Sequence, residues 1–219
     1  HFSRISCSTL QRLIILKKVF KDVVIIGAGA AGLMCAIEAG KRGRKVILVD
    51  AAHKLAEKIR ISGGGRCNFT NRYARAENFL SSNPHFCRSA LARFTPLDFI
   101  ALVEKHGIRY HEKKLGQLFC DDSSQQIIDM LQDECQAVNV EWQISSQIGQ
   151  IEYLPGNAGV QKAGHKFLLT TERNILETTS LVIATGGLSI PQIGASAFGY
   201  QVANQFNIRV TPLRPALVG

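Results

Sequence analysis

Unbroken apolar runs of strand length alternate with helical stretches along this chain. Val23–Ile26 places four β-branched residues in a row and closes a predicted strand over Lys21–Ile26. A run without polar alternation suits a strand buried on both faces of a parallel sheet. Ala30–Lys41, rich in Leu, Met, Ala and Glu, predicts a helix that stops at Gly40 and Gly43, and Lys45–Asp50 predicts a second strand. Pro84–His106 reads as helix in one or two pieces, divided near Thr95-Pro96. Ile108–Glu112 and Gln117–Cys120 flank a charged turn and predict a hairpin, and Gln125–Val138 is an amphipathic helix behind a cap cluster at Asp121–Ser124. Val140–Gln143, Gly149–Tyr153, Lys166–Thr171 and Asn174–Thr178 predict short strands of an antiparallel insert. Ser180–Ala184 predicts a last buried strand, and a helix starts over Gly199–Gln205. The fold class is α/β.

The first strand runs straight into Gly27-Ala28-Gly29-Ala30-Ala31-Gly32, a G-x-G-x-x-G that opens the first helix. Gly27 permits the tight turn, Gly29 lets a pyrophosphate approach the backbone, and Gly32 allows close helix–strand packing. The helix start at Ala30 and Ala31 offers unpaired N–H groups and the positive end of the dipole. Asp50 ends the second strand 18 residues after Gly32, where an acid accepts hydrogen bonds from a ribose diol. Strand, turn, helix and acid together are the context this motif needs, so a dinucleotide is expected, and the acid favours FAD or NAD over NADP at this site. A second cluster, Ser62-Gly63-Gly64-Gly65-Arg66-Cys67-Asn68, follows the basic segment Lys54–Arg60. Consecutive glycines suit backbone that passes against a flat or anionic ligand. Arg66 can pair with phosphate, Asn68 can donate and accept, and Cys67 reads as an ordinary small loop residue.

Charge and cysteine usage narrow the classes further. The chain has 219 residues with 26 Lys+Arg against 17 Asp+Glu, a net charge of +9. Residues 1–21 hold Arg4, Arg12, Lys17, Lys18 and Lys21 and no acid, so they are expected to form a basic extension outside the fold. The remainder, residues 22–210, carries too little clustered charge to expect nucleic acid as a partner. No apolar run is long enough to cross a membrane as a helix. The six cysteines lie at least 15 residues apart with no C-x-x-C, and the histidines have no ligand spacing, so no metal and no local dithiol are expected. Free thiols point to a reducing, cytoplasmic setting. The first methionine is Met34, and residues 211–219 start a Pro-containing link, so the chain is expected to be the N-terminal portion of a longer protein with its C-terminal half missing.

Three stretches together resemble one flavoprotein family. They are Gly27–Gly32, the run Lys58-Ile59-Arg60-Ile61-Ser62-Gly63-Gly64-Gly65-Arg66-Cys67-Asn68-Phe69-Thr70-Asn71, and Ala184-Thr185-Gly186-Gly187-Leu188-Ser189-Ile190-Pro191-Gln192-Ile193-Gly194. Over about Lys21 to Val218 the chain is similar to the BaiN-like NAD(P)/FAD-dependent oxidoreductases, the aminoacetone-oxidase-like bacterial flavoproteins. The resemblance implies a Rossmann-like FAD-binding domain of the glutathione-reductase-like type with a small antiparallel β insert. It implies FAD as cofactor, NAD(P)H as reductant and a small-molecule substrate. It also places Gly64, Gly65, Arg66, Cys67 and Asn68 along the FAD and the turn Ala184, Thr185 and Gly186 beside it. The chain departs from the family at Gln117 and Cys120, where Arg and Pro are usual, and at Ala197, where a glycine is usual. If that last position needs a positive φ, alanine strains it. No acid, base or nucleophile is singled out. The alternatives are an NAD-linked dehydrogenase, for which the second cluster and the A-T-G turn are superfluous, an RNA-associated flavoprotein scaffold, and a gene fragment without activity.

Overall fold

The β-branched run at Val23–Ile26 closes strand β1 (Lys17–Ile26), which lies inside the main sheet of the computed structural model. The structure describes residues 16–155, 167–188 and 196–213. Strand β1 pairs in parallel with β2 (Val46–Asp50) on one side and with β9 (Asn174–Ile183) on the other. Beyond β2 lies β6 (Glu141–Ile144), also parallel. Beyond β9 the sheet turns antiparallel through β8 (Phe167–Thr171) and β7 (Ile148–Tyr153), so the order is β6-β2-β1-β9-β8-β7. Helix α1 (Ala30–Lys41) is the crossover from β1 to β2, and α5 (Gln125–Ala137) leads into β6.

The pleat sends alternate side chains of the parallel strands to opposite faces. Ile25, Val46 and Leu48 pack with Leu33, Ala36 and Ile37 of α1 and with Ile127, Met130 and Leu131 of α5. Val24, Ile26, Ile47 and Val49 pack the other face, against Leu169, Leu176 and Val202 of helix α6 (Phe198–Gln205). A strand covered on both faces has no solvent side to make polar, which accounts for the unbroken apolar run.

A second, three-stranded antiparallel sheet, β3-β5-β4, is built from β3 (Asn68–Asn71), β5 (Gln117–Cys120) and β4 (Tyr110–Glu112). The hairpin matches the sequence expectation, whereas β3 was not expected as a strand. The Pro84–His106 segment holds two helices, α3 (Arg88–Arg93) and α4 (Pro96–Lys105). Thr95 caps α4, accepting from Asp98 N at 3.2 Å while its own N–H donates to Asp98 Oδ2 at 2.7 Å, and Pro96 opens the first turn. Phe69 of β3 packs on Phe99 of α4 and Tyr110 of β4, with ring centroids 6.0 and 5.5 Å apart.

Two expected boundaries are corrected. Residues 17–21 are strand rather than extension: Lys17–Lys21 pair with Asn174–Thr178, Lys21 is buried and ion-paired with Glu141, and Lys18 meets Glu177 at 2.8 Å. The acids that neutralise these lysines lie more than a hundred residues away, out of reach of a local charge count. Residues 1–15 of the expected extension lie outside the described residues. Asn174–Thr178 and Ser180–Ala184 are one strand, β9, not two. Its polar middle is satisfied in place, because Ser180 N donates to Thr178 Oγ1 at 3.2 Å and Thr179 Oγ1 donates to the Asp22 carbonyl at 2.8 Å. Ala197 has a φ of −78°, so the departure from glycine carries no backbone strain.

Candidate functional site

The site is built where the parallel strands end. Gly27 has a φ of +113°, and a Cβ there would stand 2.4 Å from the Ala184 carbonyl oxygen and 2.9 Å from Thr185 N. The opening turn therefore lies directly on the Ala184-Thr185-Gly186 turn, and a side chain would drive the two apart. A Cβ at Gly32 would come within 1.8 Å of the Gly27 carbonyl oxygen, so the third glycine lets α1 sit on its own turn. Gly29 is different: a Cβ there would meet nothing within 4 Å. Its absence leaves open space in front of the helix start, where Ala30 and Ala31 are exposed. The first amides of an α-helix have no acceptor within the helix and point outwards, with the positive dipole end behind them.

Asp50 does more than sequence reasoning assigned it. Its Oδ2 accepts from Ala28 N at 2.5 Å and its Oδ1 from Ala52 N at 2.8 Å. The carboxylate thus fixes the glycine turn from below. A carboxylate offers about four acceptor sites, which leaves capacity for a ribose hydroxyl.

Helix α2 (Glu57–Ile61) ties the second glycine cluster to the first. Ala56 N donates to the Ala28 carbonyl at 3.0 Å, and Lys58 Nζ donates to the Gly187 carbonyl at 3.3 Å. One five-residue helix, about 8 Å long, therefore touches both turns and then becomes the glycine loop. In that loop Gly63, Gly64 and Gly65 have φ of +59°, +67° and +84°, and buried Cys67 has +50°. A Cβ at Gly63 would stand 2.7 Å from the Phe119 ring, whereas Gly64 and Gly65 have nothing within 4 Å. The loop is pinned from behind: Ser124 N donates to the Gly65 carbonyl at 2.7 Å and Cys120 N to the Arg66 carbonyl at 2.9 Å. Its open side carries Arg66 and Asn68, both exposed, and Arg66 has no acid within ion-pair distance among the described residues.

Cys67 packs into the core under the loop, and burial pushes its thiol up from the ordinary value. Neighbouring Cys120 is pushed up to about 12, also by burial first. Neither is a thiolate at neutral pH, so neither is an activated nucleophile. Among the described residues no group of three or more His, Cys, Asp or Glu could hold a metal ion, and no helix is long and apolar enough to cross a membrane.

Among the described residues two buried side-chain oxygens lack a hydrogen-bond partner, Gln126 Oε1 and Thr185 Oγ1. Thr185 belongs to the turn against Gly27, and its Oγ1 stands 3.1 Å from where a Gly199 Cβ would be. Such an orphan costs about 1–3 kcal/mol, and a water, a ligand or a group beyond the described residues would satisfy it. With open space at Gly29, Gly64 and Gly65, it fits an elongated ligand with phosphates at the helix start. The structure brings together all three expected stretches, except that the Cys67 side chain faces the core. Lys58, Phe119 and Tyr200, whose hydroxyl stands 3.1 Å from where a Gly187 Cβ would be, were missed as site residues. Only the position of Lys58 before the glycine cluster hinted at any of them. Residues 189–195 of the third stretch lie outside the described residues.

Residues 21–214 match the model of the HI0933-like protein Rossmann domain. The chain belongs to this HI0933-like family. Within that family context the chain is 54% identical over 197 residues to a protein of Escherichia coli named ribosomal RNA dihydrouridine synthase, covering 90% of this chain and 47% of the relative. A protein of the same name in Haemophilus influenzae is 46% identical over 199 residues, covering 91% and 48%. A 3-dehydro-bile acid delta(4,6)-reductase of Clostridium scindens is 23% identical over 197 residues, covering 89% and 46%. The chain spans about half the length of these relatives. Among solved structures, the open form of a flavocytochrome c3 fumarate reductase aligns with a TM-score of 0.56 at 18% identity, covering 85% of this chain and 40% of that one. The L-proline dehydrogenase of P. horikoshii aligns at 0.54 and 12%, covering 90% and 57%. Both show the same Rossmann-like fold. The HI0933-like relatives correct one expectation. Nucleic acid was held unlikely because the sequence carries too little clustered charge, yet two relatives at 46% identity or more carry the name of an RNA-modifying enzyme. Charge read along a sequence does not show how charge clusters on a folded surface, and such clustering governs nucleic-acid binding.

Proposed function

We propose that this chain is the FAD-binding part of an oxidoreductase of the HI0933-like family, and that the whole protein reduces uridine in ribosomal RNA with NAD(P)H as reductant. The observation that carries the flavin reading is the convergence of three separate glycine-containing turns, through Ala56–Ala28 and Lys58–Gly187 hydrogen bonds, around open backbone and an orphaned Thr185 hydroxyl. The uridine reading rests on the name of the 54%-identical relative.

In this reading the amides at Ala30 and Ala31 and the α1 dipole hold the pyrophosphate. Asp50, already fixed by two backbone amides, presents its remaining acceptor sites to the adenosine ribose. Gly64 and Gly65 let the cofactor lie flat on the backbone, and Arg66 supplies a cation beside it. Bound FAD would supply two-electron redox chemistry that the protein side chains lack. Asp50 disfavours a 2′-phosphate at this position.

The test uses the protein purified from its native gene. The expected result is a yellow protein whose visible flavin absorbance bleaches with NADH or NADPH, and ribosomal RNA that loses a dihydrouridine when the gene is deleted. A folded, colourless protein overturns the flavin reading. A flavoprotein whose deletion leaves ribosomal dihydrouridine intact overturns the substrate.

A further inference from the structure

Beyond the glycine-lined site, the segment between β3 and α4 combines exposed aromatic and aliphatic side chains with arginine. Residues 72–97 contain Arg72, Arg75, Arg88 and Arg93, no lysine, and Glu77 as the one acid. Arg72 is held by Glu112 at 3.2 Å, but Arg75, Arg88 and Arg93 have no acid within ion-pair distance among the described residues. Arg75 and Arg88 line a groove of about 630 Å³ with Leu91 and Leu97 on its wall. A smaller hollow of about 170 Å³ shares Arg88 and Glu77 with it and is edged by Phe79. Phe79, Phe86 and Tyr73 are 51%, 83% and 58% exposed.

From this we infer that the groove is the docking surface for a single-stranded or looped segment of RNA. The inference rests on the RNA reading above and adds the place where RNA is held. Three considerations favour that occupant. Guanidinium groups free of carboxylate partners keep their donors available for phosphate, which they grip with two parallel N–H groups. The exposed Phe79 ring, which edges the hollow that shares Arg88, supplies a flat face on which an unstacked base can lie, the pattern of single-strand RNA recognition. The groove also starts next to the site: β3 leaves the second glycine loop at Asn68, and its four residues span about 13 Å before Arg72. A strand lying in the groove therefore passes within a few nucleotides of the glycine-lined pocket. A protein segment covering the same groove would need acids to meet Arg75 and Arg88.

The experiment measures binding of a uridine-containing RNA hairpin by fluorescence anisotropy, using the protein purified from its native gene. Wild type is compared with the double variant Arg75→Ala, Arg88→Ala, and separately with Phe79→Ala and Arg88→Lys. The double variant is expected to lose about tenfold or more in affinity and to lower the salt slope by about 1.4, roughly 0.7 per phosphate contact on a single strand. Its flavin absorbance should stay that of wild type, and Arg88→Lys should keep the salt slope while losing part of the affinity, because an ammonium cannot offer two parallel donors. Phe79→Ala should weaken binding without changing the salt slope. Unchanged RNA affinity in the double variant overturns the inference while leaving the RNA reading standing. Loss of flavin along with affinity also overturns it, since the arginines would then be holding the fold. Failure of wild type to bind RNA while retaining flavin sinks the RNA reading and this surface with it. Inaccessibility of the Arg75 and Arg88 side chains to an arginine-modifying dicarbonyl without RNA shows that another part of the protein fills the groove, which likewise overturns it.

Discussion

Glycines that share one motif answer to different forces at the residue scale. Gly27 and Gly32 are glycine because backbone lies where their Cβ atoms would be, at 2.4 and 1.8 Å. Gly29 has a φ of −85° and open space around it, so the fold itself tolerates a side chain there. Gly32→Ala should therefore destabilise the protein by about 1–3 kcal/mol through overpacking, measured by urea unfolding. Gly29→Ala should leave stability within about 0.5 kcal/mol yet weaken FAD retention on gel filtration. Equal loss of stability in both variants would contradict the separation of fold glycines from ligand glycine. Nothing in the letters G-x-G-x-x-G distinguishes the two kinds; only the neighbours of each missing Cβ do.

Elements owe their stability to partners far along the chain. Helix α5 buries Glu134, whose Oε1 accepts from Lys105 Nζ of α4 at 2.7 Å and meets His106 Nε2 at 2.9 Å, with Lys41 of α1 at 4.0 Å. The hydrogen bond from Lys105, and then that from His106, holds the Glu134 carboxyl below the usual carboxylate range. A lowered folded-state value means that this stabilisation is complete above the unfolded pKa and disappears as pH falls through the folded one. Glu134→Gln should cost about 1.5 kcal/mol at neutral pH and flatten the acid limb of a Tm-against-pH curve. An unchanged acid limb would show that the cluster does not couple α1, α4 and α5. Helix α1, opened by the glycine motif, and α4, capped by Thr95 and Asp98, were legible as sequence, as was the hairpin of β4 and β5. The single strand β9 was not, because its polar Thr178–Ser180 stretch is satisfied by hydroxyl bonds to itself and to Asp22. Strand β3 was hidden for a similar reason, since its partner β5 lies some fifty residues on.

At the scale of the whole molecule, the proposed FAD would be part of the stability. The glycine loop, the opening turn and the Ala184–Gly186 turn come from three distant parts of the chain, and a cofactor bound across them stabilises their joint arrangement. FAD at a hundredfold excess over its Kd should add about 2.7 kcal/mol, read as a rise in Tm on adding FAD to flavin-stripped protein. No rise would mean that the three turns do not share one ligand.

Sequence by itself determined the parallel βαβ unit, the two glycine clusters and their kinship with flavoproteins, because each depends on residues within a short window. A fully buried strand must be apolar throughout, and a phosphate-binding turn must lack side chains, wherever the rest of the chain lies. Tertiary structure alone decided that Lys18 and Lys21 belong to the sheet, that Asp50 clamps the turn it was expected only to serve, and that Lys58 joins two turns. It also decided that arginines scattered over residues 72–97 line one groove, which a charge total could not reveal. Each of these depends on contacts between residues far apart in sequence, and local pattern carries no record of such distances.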